Sequence, residues 1–435
     1  MSDLGLYIHV PFCARKCPYC DFNSFAGREG LIDAYIGAVL TELKGRSRSA
    51  SRPTFTTLYV GGGTPTLLSS AQLCRLLEGA REAACLADGA EVTVEANPGT
   101  VDAAKLRALR RVGANRLSLG AQSFRQEDLL RLGRIHTVTE GETTFRDARE
   151  AGFDNVAIDL IYAIPEQSVA DFRLSLERVV GLGPEHVSTY CLTMEDGTPL
   201  AAKVREGSLR AADEGLQLRM YRLARRLLRA SGYDQYEISN FAVPGRECRH
   251  NLACWRGEPY VGIGAGAHSY MDGARSANVG DPAEYVRRIS GSGDATEWRE
   301  RLCPERALGE AVMLGLRTRE GVRFASLRER FGIDVRRRRA REIRALREAG
   351  LLRVTPEAMA LTARGLAVAD EVALRFIEVS DRSVSALWGG IERKRRQSLF
   401  RPNDPTSSAP HPGAKKALSP FRPDDALADG SPDLV

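Results

Sequence analysis

Cys13, Cys17 and Cys20 crowd into eight consecutive positions near the start of the chain, in "HVPFCARKCPYCDF". Thiols this close invite oxidation unless a metal holds them as thiolates, so three incidental core cysteines are the least favoured reading. Zinc is one alternative. A structural zinc site closes with four ligands, typically as two separated pairs, and His9 is a candidate to complete this one. The other alternative is an iron–sulfur cluster, in which three thiolates hold three irons of a 4Fe–4S cluster and leave the fourth open for a ligand. The remaining cysteines (Cys74, Cys85, Cys191, Cys248, Cys254 and Cys303) are scattered and read as ordinary thiols. A total of nine makes a poor disulfide framework and fits a reducing compartment.

Further polar residues able to hold a small molecule recur at regular intervals. They are the "GGGTP" run from Gly61 through Gly62, Gly63 and Thr64 to Pro65, then Glu95 before "NPG", Gln122, Asp159, and the pair Thr193 and Glu195. Each lies in or at the end of a β-rich segment: "TTLYVGG", "EVTVEA", "RLSLGAQS", "NVAIDLIY" and "HVSTYCLT", with "LYIHV" ahead of the cysteines. Stretches with apolar residues at helical spacing separate them, such as "LIDAYIGAVLTELKG" and "AQLCRLLEGAREAAC". Strand–helix alternation implies parallel pairing through right-handed crossovers. Parallel strands send all their C-terminal ends to one face, so the six segments predict one site on an α/β fold, a partial (βα)6 barrel.

The pattern changes near residue 290. Three domains are expected: the barrel with its extensions over 1–290, a small, mostly helical, winged-helix-like module over 291–379, and a tail over 380–435. The tail is rich in Pro, Ser and Asp, which predicts disorder. The basic run Arg336–Arg339 reads as a solvated helix face before the core residues Ile343 and Leu346, rather than as a DNA-recognition helix. With 435 residues, 43% of them hydrophobic, the chain can bury a large core. Its mean hydropathy of −0.27 and the lack of a long apolar run argue against a spanning helix. No secretory signal is apparent, so the expected location is the cytoplasm. A net charge of +6 on this length does not call for nucleic acid.

The cysteine spacing C-x3-C-x2-C after the first strand, with Tyr19 before the third cysteine, resembles the radical SAM superfamily. The resemblance implies that the open iron chelates S-adenosyl-L-methionine (SAM), which one electron cleaves to methionine and a 5′-deoxyadenosyl radical. It further implies SAM contacts from Gly62, Gly63 and Thr64, a ribose-binding pair in Glu95 and Gln122, and Arg134 at the SAM carboxylate. Tyr7, Tyr19 and Asp159 match other cofactor-contacting positions. Within the superfamily the chain is most similar to the oxygen-independent coproporphyrinogen III oxidase-like family. The similarity runs from "LYIHVPFCARKCPYCDFNSF" through "LGRIHT", "YEISNFAVPG" and "HNLACW" to "LTARGL", about residues 4 to 378. The oxidase carries a further cysteine two positions after the third, where this chain has Phe22, and an N-terminal extension. Both departures favour the haem-chaperone branch, whose members bind haem as cargo and deliver it to haem-requiring respiratory proteins. Radical decarboxylation of coproporphyrinogen is the runner-up and a DNA-binding regulator the distant third. The same branch implies haem contacts from His250, Asn251 and Trp255, with Cys254 standing where Tyr is usual. "GIGAGAHSY" (Gly262–Tyr270) matches the family without suggesting a chemical role. Dimerisation and peripheral membrane contact are left open.

Overall fold

In the computed structural model, residues 4–47 and 54–377 are described. The six expected segments are strands: β1 (Leu4–Val10), β2 (Thr54–Gly62), β3 (Cys85–Ala96), β4 (Arg116–Gln122), β5 (Val156–Tyr162) and β6 (His186–Cys191). Each pairs in parallel with the next. The period-2 alternation of the strands decides which residues are core and which are available for chemistry. Leu6, Ile8, Val10, Leu58, Val60, Val92 and Val94 are sealed in the main core. Tyr7, His9, Tyr59, Glu91, Thr93 and Glu95 occupy the intervening positions, on the opposite, inner face.

Local signals place the crossover helices. Ser69, Thr137 and Ser168 each cap a helix, and Gln72, Glu140 and Asp171 close reciprocal capping boxes three residues on. These boxes start Ser70–Ala83, Val138–Glu150 and Val169–Leu182, fixing where each helix begins against the sheet.

The sheet extends beyond the expected six strands. After β6 come β7 (Asp234–Gln235) and β8 (Asn240–Ala242); β9 (Tyr260–Ile263) joins β1 in parallel on the other side. Beyond it, β10 (His268–Met271), β11 (Ala274–Asn278) and β12 (Thr296–Arg301) form an antiparallel ribbon. The β10–β11 turn is Asp272-Gly273, both with positive φ (52° and 71°), as a two-residue hairpin turn of matching twist requires. The order is β12-β11-β10-β9-β1-β2-β3-β4-β5-β6-β8-β7, an open sheet of twelve strands.

The C-terminal region is mostly helical, with Pro304–Leu316, Phe324–Phe331 and Ala340–Glu348 around three short strands, β13 (Val322–Arg323), β14 (Leu352–Val354) and β15 (Ala358–Leu361). The strands are ordered β13-β15-β14. This region has its own core, which includes Leu308, Val312, Leu327, Ile343, Leu346 and Met359. In the arginine run, Arg336 lies over the Phe324 ring at 5.1 Å and donates to Pro356 O, while the side chain of Arg337 is 92% exposed. The tail expected over 380–435 lies outside the described residues. Among the described residues no helix is long and apolar enough to cross a membrane.

Candidate metal and cofactor site

The cysteine loop leaves β1 with its shape fixed by backbone bonds. Cys13 N donates to Phe25 O (2.9 Å), Phe25 N to Pro11 O (2.7 Å) and Cys20 N to Cys17 O (3.1 Å). His9 does not complete a four-ligand zinc site with the thiols. Its Nδ1 is bonded to the Tyr7 hydroxyl (2.9 Å) and its Nε2 to Asn23 O (2.8 Å), so both ring nitrogens are engaged. Burial holds its pKa below the ordinary value.

The glycine run sits directly against this loop. Gly63 N donates to Val10 O and Thr64 N to Phe12 O, each at 2.8 Å, while the Thr64 hydroxyl reaches Cys13 Sγ at 3.5 Å. A Cβ on Gly63 would stand 2.7 Å from Phe12 O and 3.1 Å from Cys13 Sγ, so only glycine allows this approach. Across the loop, Arg134 donates through Nη1 to Cys17 Sγ (3.6 Å) and through Nη2 to Gly120 O (2.9 Å). Its Nε is buried without a partner among the described residues, a cationic donor left over at the site. Tyr19 packs beside Arg134, and burial raises its pKa. Donors to sulfur, a side-chain-free wall and an unused guanidinium donor fit thiolate ligands with an anionic group beside them.

Glu95 belongs to the same wall. Its carboxylate accepts from the Tyr59 hydroxyl (2.8 Å) and from Gly62 N (3.0 Å). No motif singles out Tyr59, although the alternation of "TTLYVGG" puts it on the face of Gly61, two residues on. Burial raises the Glu95 pKa to about 7 against the lowering effect of those two bonds. A carboxyl raised on folding contributes most below its unfolded value, and the contribution falls as pH rises from 4.5 to about 7. The side chain is half-buried rather than sealed, so the expected loss across that window is roughly 2 kcal/mol. In urea unfolding of the metal-free protein, Glu95→Gln should lack this part of the slope; parallel pH profiles for variant and wild type would refute it.

Gln122 ends β4 with φ at 67°, in the left-handed region, at a register break between Leu119 and Gln122. Such strain in a glutamine is characteristic of functional sites, where the surrounding structure holds it. Asp159 lies lower on β5, accepting from Ser118 Oγ at 3.1 Å and from Ser188, and burial raises its pKa. The expected SAM contacts therefore line one side of the sheet, from Asp159 and Tyr7 inside to Gly63, Thr64 and Arg134 at the cysteines.

"GIGAGAHSY" has a mechanical role that the sequence alone conceals. Asn23, at the end of the cysteine loop, donates to Ala265 O (3.1 Å) and Gly280 O (3.0 Å). Tyr35 donates to His9 O and accepts from Ala265 N, each at 2.8 Å. A Cβ on Gly264 would meet the Tyr35 oxygen at 2.5 Å, and one on Gly266 would meet Asn23 Nδ2 at 2.4 Å. The glycines let this turn grip the loop.

His250, Asn251, Cys254 and Trp255 share the seven-residue helix Arg249–Trp255. His250 points into the sheet's inner face, where it is 6% exposed. Its Nδ1 is 2.9 Å from Thr57 Oγ1 and its ring stacks on Tyr59 at 5.1 Å. Glu91 accepts from the backbone N–H of Arg249 (3.0 Å) and His250 (3.1 Å), pinning the helix start. Burial, with Arg116 nearby, lowers the His250 pKa to about 4. Trp255 is covered by Arg317 at 4.7 Å, and burial pushes the Cys254 thiol up to about 12. As placed, His250 packs beneath Tyr59 with its ring closed to a macrocycle, while Asn251, Cys254 and Trp255 are half-buried.

Comparison with known proteins agrees with this architecture. The radical SAM superfamily profile matches residues 7–179 and the HemN C-terminal domain profile residues 302–368. Heme chaperone HemW of Bacillus subtilis is 36% identical over 85% of this chain and 98% of its own length. The chain belongs to the HemW family. HemW of Mycobacterium tuberculosis H37Rv is 38% identical over 85% of this chain and 94% of that protein. Among solved structures, the coproporphyrinogen III oxidase HemN of Escherichia coli, a radical SAM enzyme, superposes with a TM-score of 0.76 at 25% identity. It covers 86% of this chain and 90% of that one.

Proposed function

We propose that this protein is a haem chaperone built on a radical SAM core: it binds haem and passes it to haem-requiring respiratory proteins. The observation that carries the reading is the near full-length match to HemW proteins, named as heme chaperones, on a chain whose cysteine loop retains the radical SAM spacing. Cys13, Cys17 and Cys20 would hold a 4Fe–4S cluster with its fourth iron facing SAM. Bound there, the pair would supply one-electron cleavage of the sulfonium. The chain's own residues keep the thiolates paired with donors, through Thr64 at Cys13 and Arg134 at Cys17. Gly62, Gly63 and Thr64 would wall the SAM methionine end, Arg134 would pair with its carboxylate, and Glu95 and Gln122 would serve its ribose. Tyr7, Tyr19 and Asp159 would complete the lining.

Phe22 distinguishes this reading from the decarboxylating oxidase. It stands where the oxidase has its additional cysteine, and it is 64% exposed on the loop. Two assays on one anaerobically reconstituted preparation test the proposal. Ferric haem is expected to titrate to a saturable Soret band, and coproporphyrinogen with SAM and reductant is expected to yield no protoporphyrinogen by HPLC. Porphyrinogen turnover, or haem absorbance that never saturates, would reverse the assignment.

A further inference from the structure

We propose that His268, backed by Trp298, is the haem-iron ligand, on the inner face of the β10–β12 ribbon beside the cysteine loop. The inference deepens the haem-binding reading and rests on it.

A protein ligand to haem iron needs a nitrogen or sulfur with a free lone pair and space for a flat, largely apolar disc. The five described histidines differ sharply in this respect. His9, His136, His186 and His250 are between 1% and 7% exposed. His9 and His136 are bonded through both ring nitrogens, to Tyr7 and Asn23 and to Asn97 and Ala121. His186 and His250 are bonded through one each, to Tyr236 and Thr57, and burial closes their rings to a haem. His268 alone among them is exposed, and neither of its ring nitrogens has a hydrogen-bond partner among the described residues. Burial by the surrounding strands and the charge of Arg275 hold it below its ordinary pKa, in the neutral form that can donate a lone pair.

The sheet supplies the surface. His268 is opposite Ala277 on β11, and Ala277 is opposite Trp298 on β12, so the three lie in one row across the ribbon. Alanine in the middle lets the indole reach across, and the His268 and Trp298 rings meet edge to face with centroids 5.6 Å apart. Trp298 is 38% exposed, so its indole keeps a face on which a flat ring system can pack. Tyr270, two residues along β10, faces the same way and pairs with Tyr260 of β9.

Register also fixes which side of the sheet this is. Tyr260 is beside Gly5, and Gly262 beside Tyr7, on the face that carries His9, Tyr59 and Glu95. Gly262 presents no side chain, and His268 is near enough to His9 to depress its pKa. The row therefore lies at the open side of the sheet, on the face that holds the candidate SAM contacts. A haem bound here stays open to an acceptor, as a deliverable cargo must, while its iron is held next to the cofactor wall.

The test uses the full chain, reconstituted anaerobically and titrated with ferric haem, followed by the Soret band and tryptophan fluorescence. His268→Ala is expected to weaken binding by at least about tenfold and to shift the Soret maximum, with added imidazole restoring the wild-type spectrum. Trp298→Leu should weaken binding severalfold and remove part of the haem-induced quenching. His250→Gln, checked for native circular dichroism, should bind haem as wild type does. Unchanged titration of His268→Ala beside normal wild-type binding overturns this site and leaves the chaperone reading intact. A folded His250→Gln that alone loses the Soret band overturns it equally. If the wild type shows no saturable binding, the chaperone reading falls and this site with it.

Discussion

Cys17→Ala is expected to reduce iron from a full cluster per chain to background after anaerobic reconstitution, with the visible cluster absorbance gone. Three thiolates are the whole protein contribution to such a cluster, and removing one leaves two anchors for a group that also loses its Arg134 contact at Cys17 Sγ. The loop itself should survive. Its fold rests on Cys13 N to Phe25 O, Phe25 N to Pro11 O and the Asn23 bonds to Ala265 and Gly280, none of which involves Cys17. Circular dichroism and the urea midpoint of the apo-protein are therefore expected to match the wild type. Cys74→Ala, on the helix Ser70–Ala83, serves as the control and should retain its iron. A full iron complement in Cys17→Ala would contradict the ligand assignment, and equal loss in Cys74→Ala would show that reconstitution, not ligation, limits iron uptake.

The elements that organise this site differ in how far the sequence reveals them. β1 to β6 are legible because each is a buried parallel strand with strong apolar alternation, and β2 to β6 are each followed by a helix with a side-chain cap. The ribbon is not. Thr296–Arg301 reads "TEWRER", with no buried position along its length, and its place as β12 follows only from pairing with β11. Chemistry shows the same division. Cysteine spacing announces its ligands locally, whereas the role of the "GIGAGAHSY" glycines is a backbone grip on Asn23, 242 residues away in sequence at Ala265. His250 illustrates the converse: a histidine in a recognisable motif draws attention, but burial under Thr57 and Tyr59 decides what it can do. His268, in a motif with no evident chemistry, keeps its nitrogens free.

Glu42→Ala is expected to cost about 3–5 kcal/mol, the range for breaking a buried, charged hydrogen-bonded cluster by removing one member. Glu42 is 3% exposed and satisfies four neighbours at once. Its Oε1 accepts from Arg46 (Nη2 at 2.9 Å) and from Asn278 Nδ2 (2.9 Å), and its Oε2 accepts from the Tyr285 hydroxyl (2.7 Å) and Gly264 N (3.0 Å). Alanine would strand the Tyr285 hydroxyl and Gly264 N–H in the core, each carrying its desolvation penalty. Gly264 also begins the turn that holds Asn23 and, through Tyr35, His9. The loss should therefore propagate to the cysteine loop. Reconstituted Glu42→Ala is expected to release iron to a chelator faster than wild type at temperatures where both remain folded. Glu42→Gln keeps the acceptor oxygen and the shape but sets its own amide against the other donors, so an intermediate loss is expected. Urea midpoints order the three proteins, and chelator-driven iron release measures the coupling. A destabilised Glu42→Ala that released iron at the wild-type rate would separate this core cluster from the loop and leave Asn23 to be held by its own contacts alone.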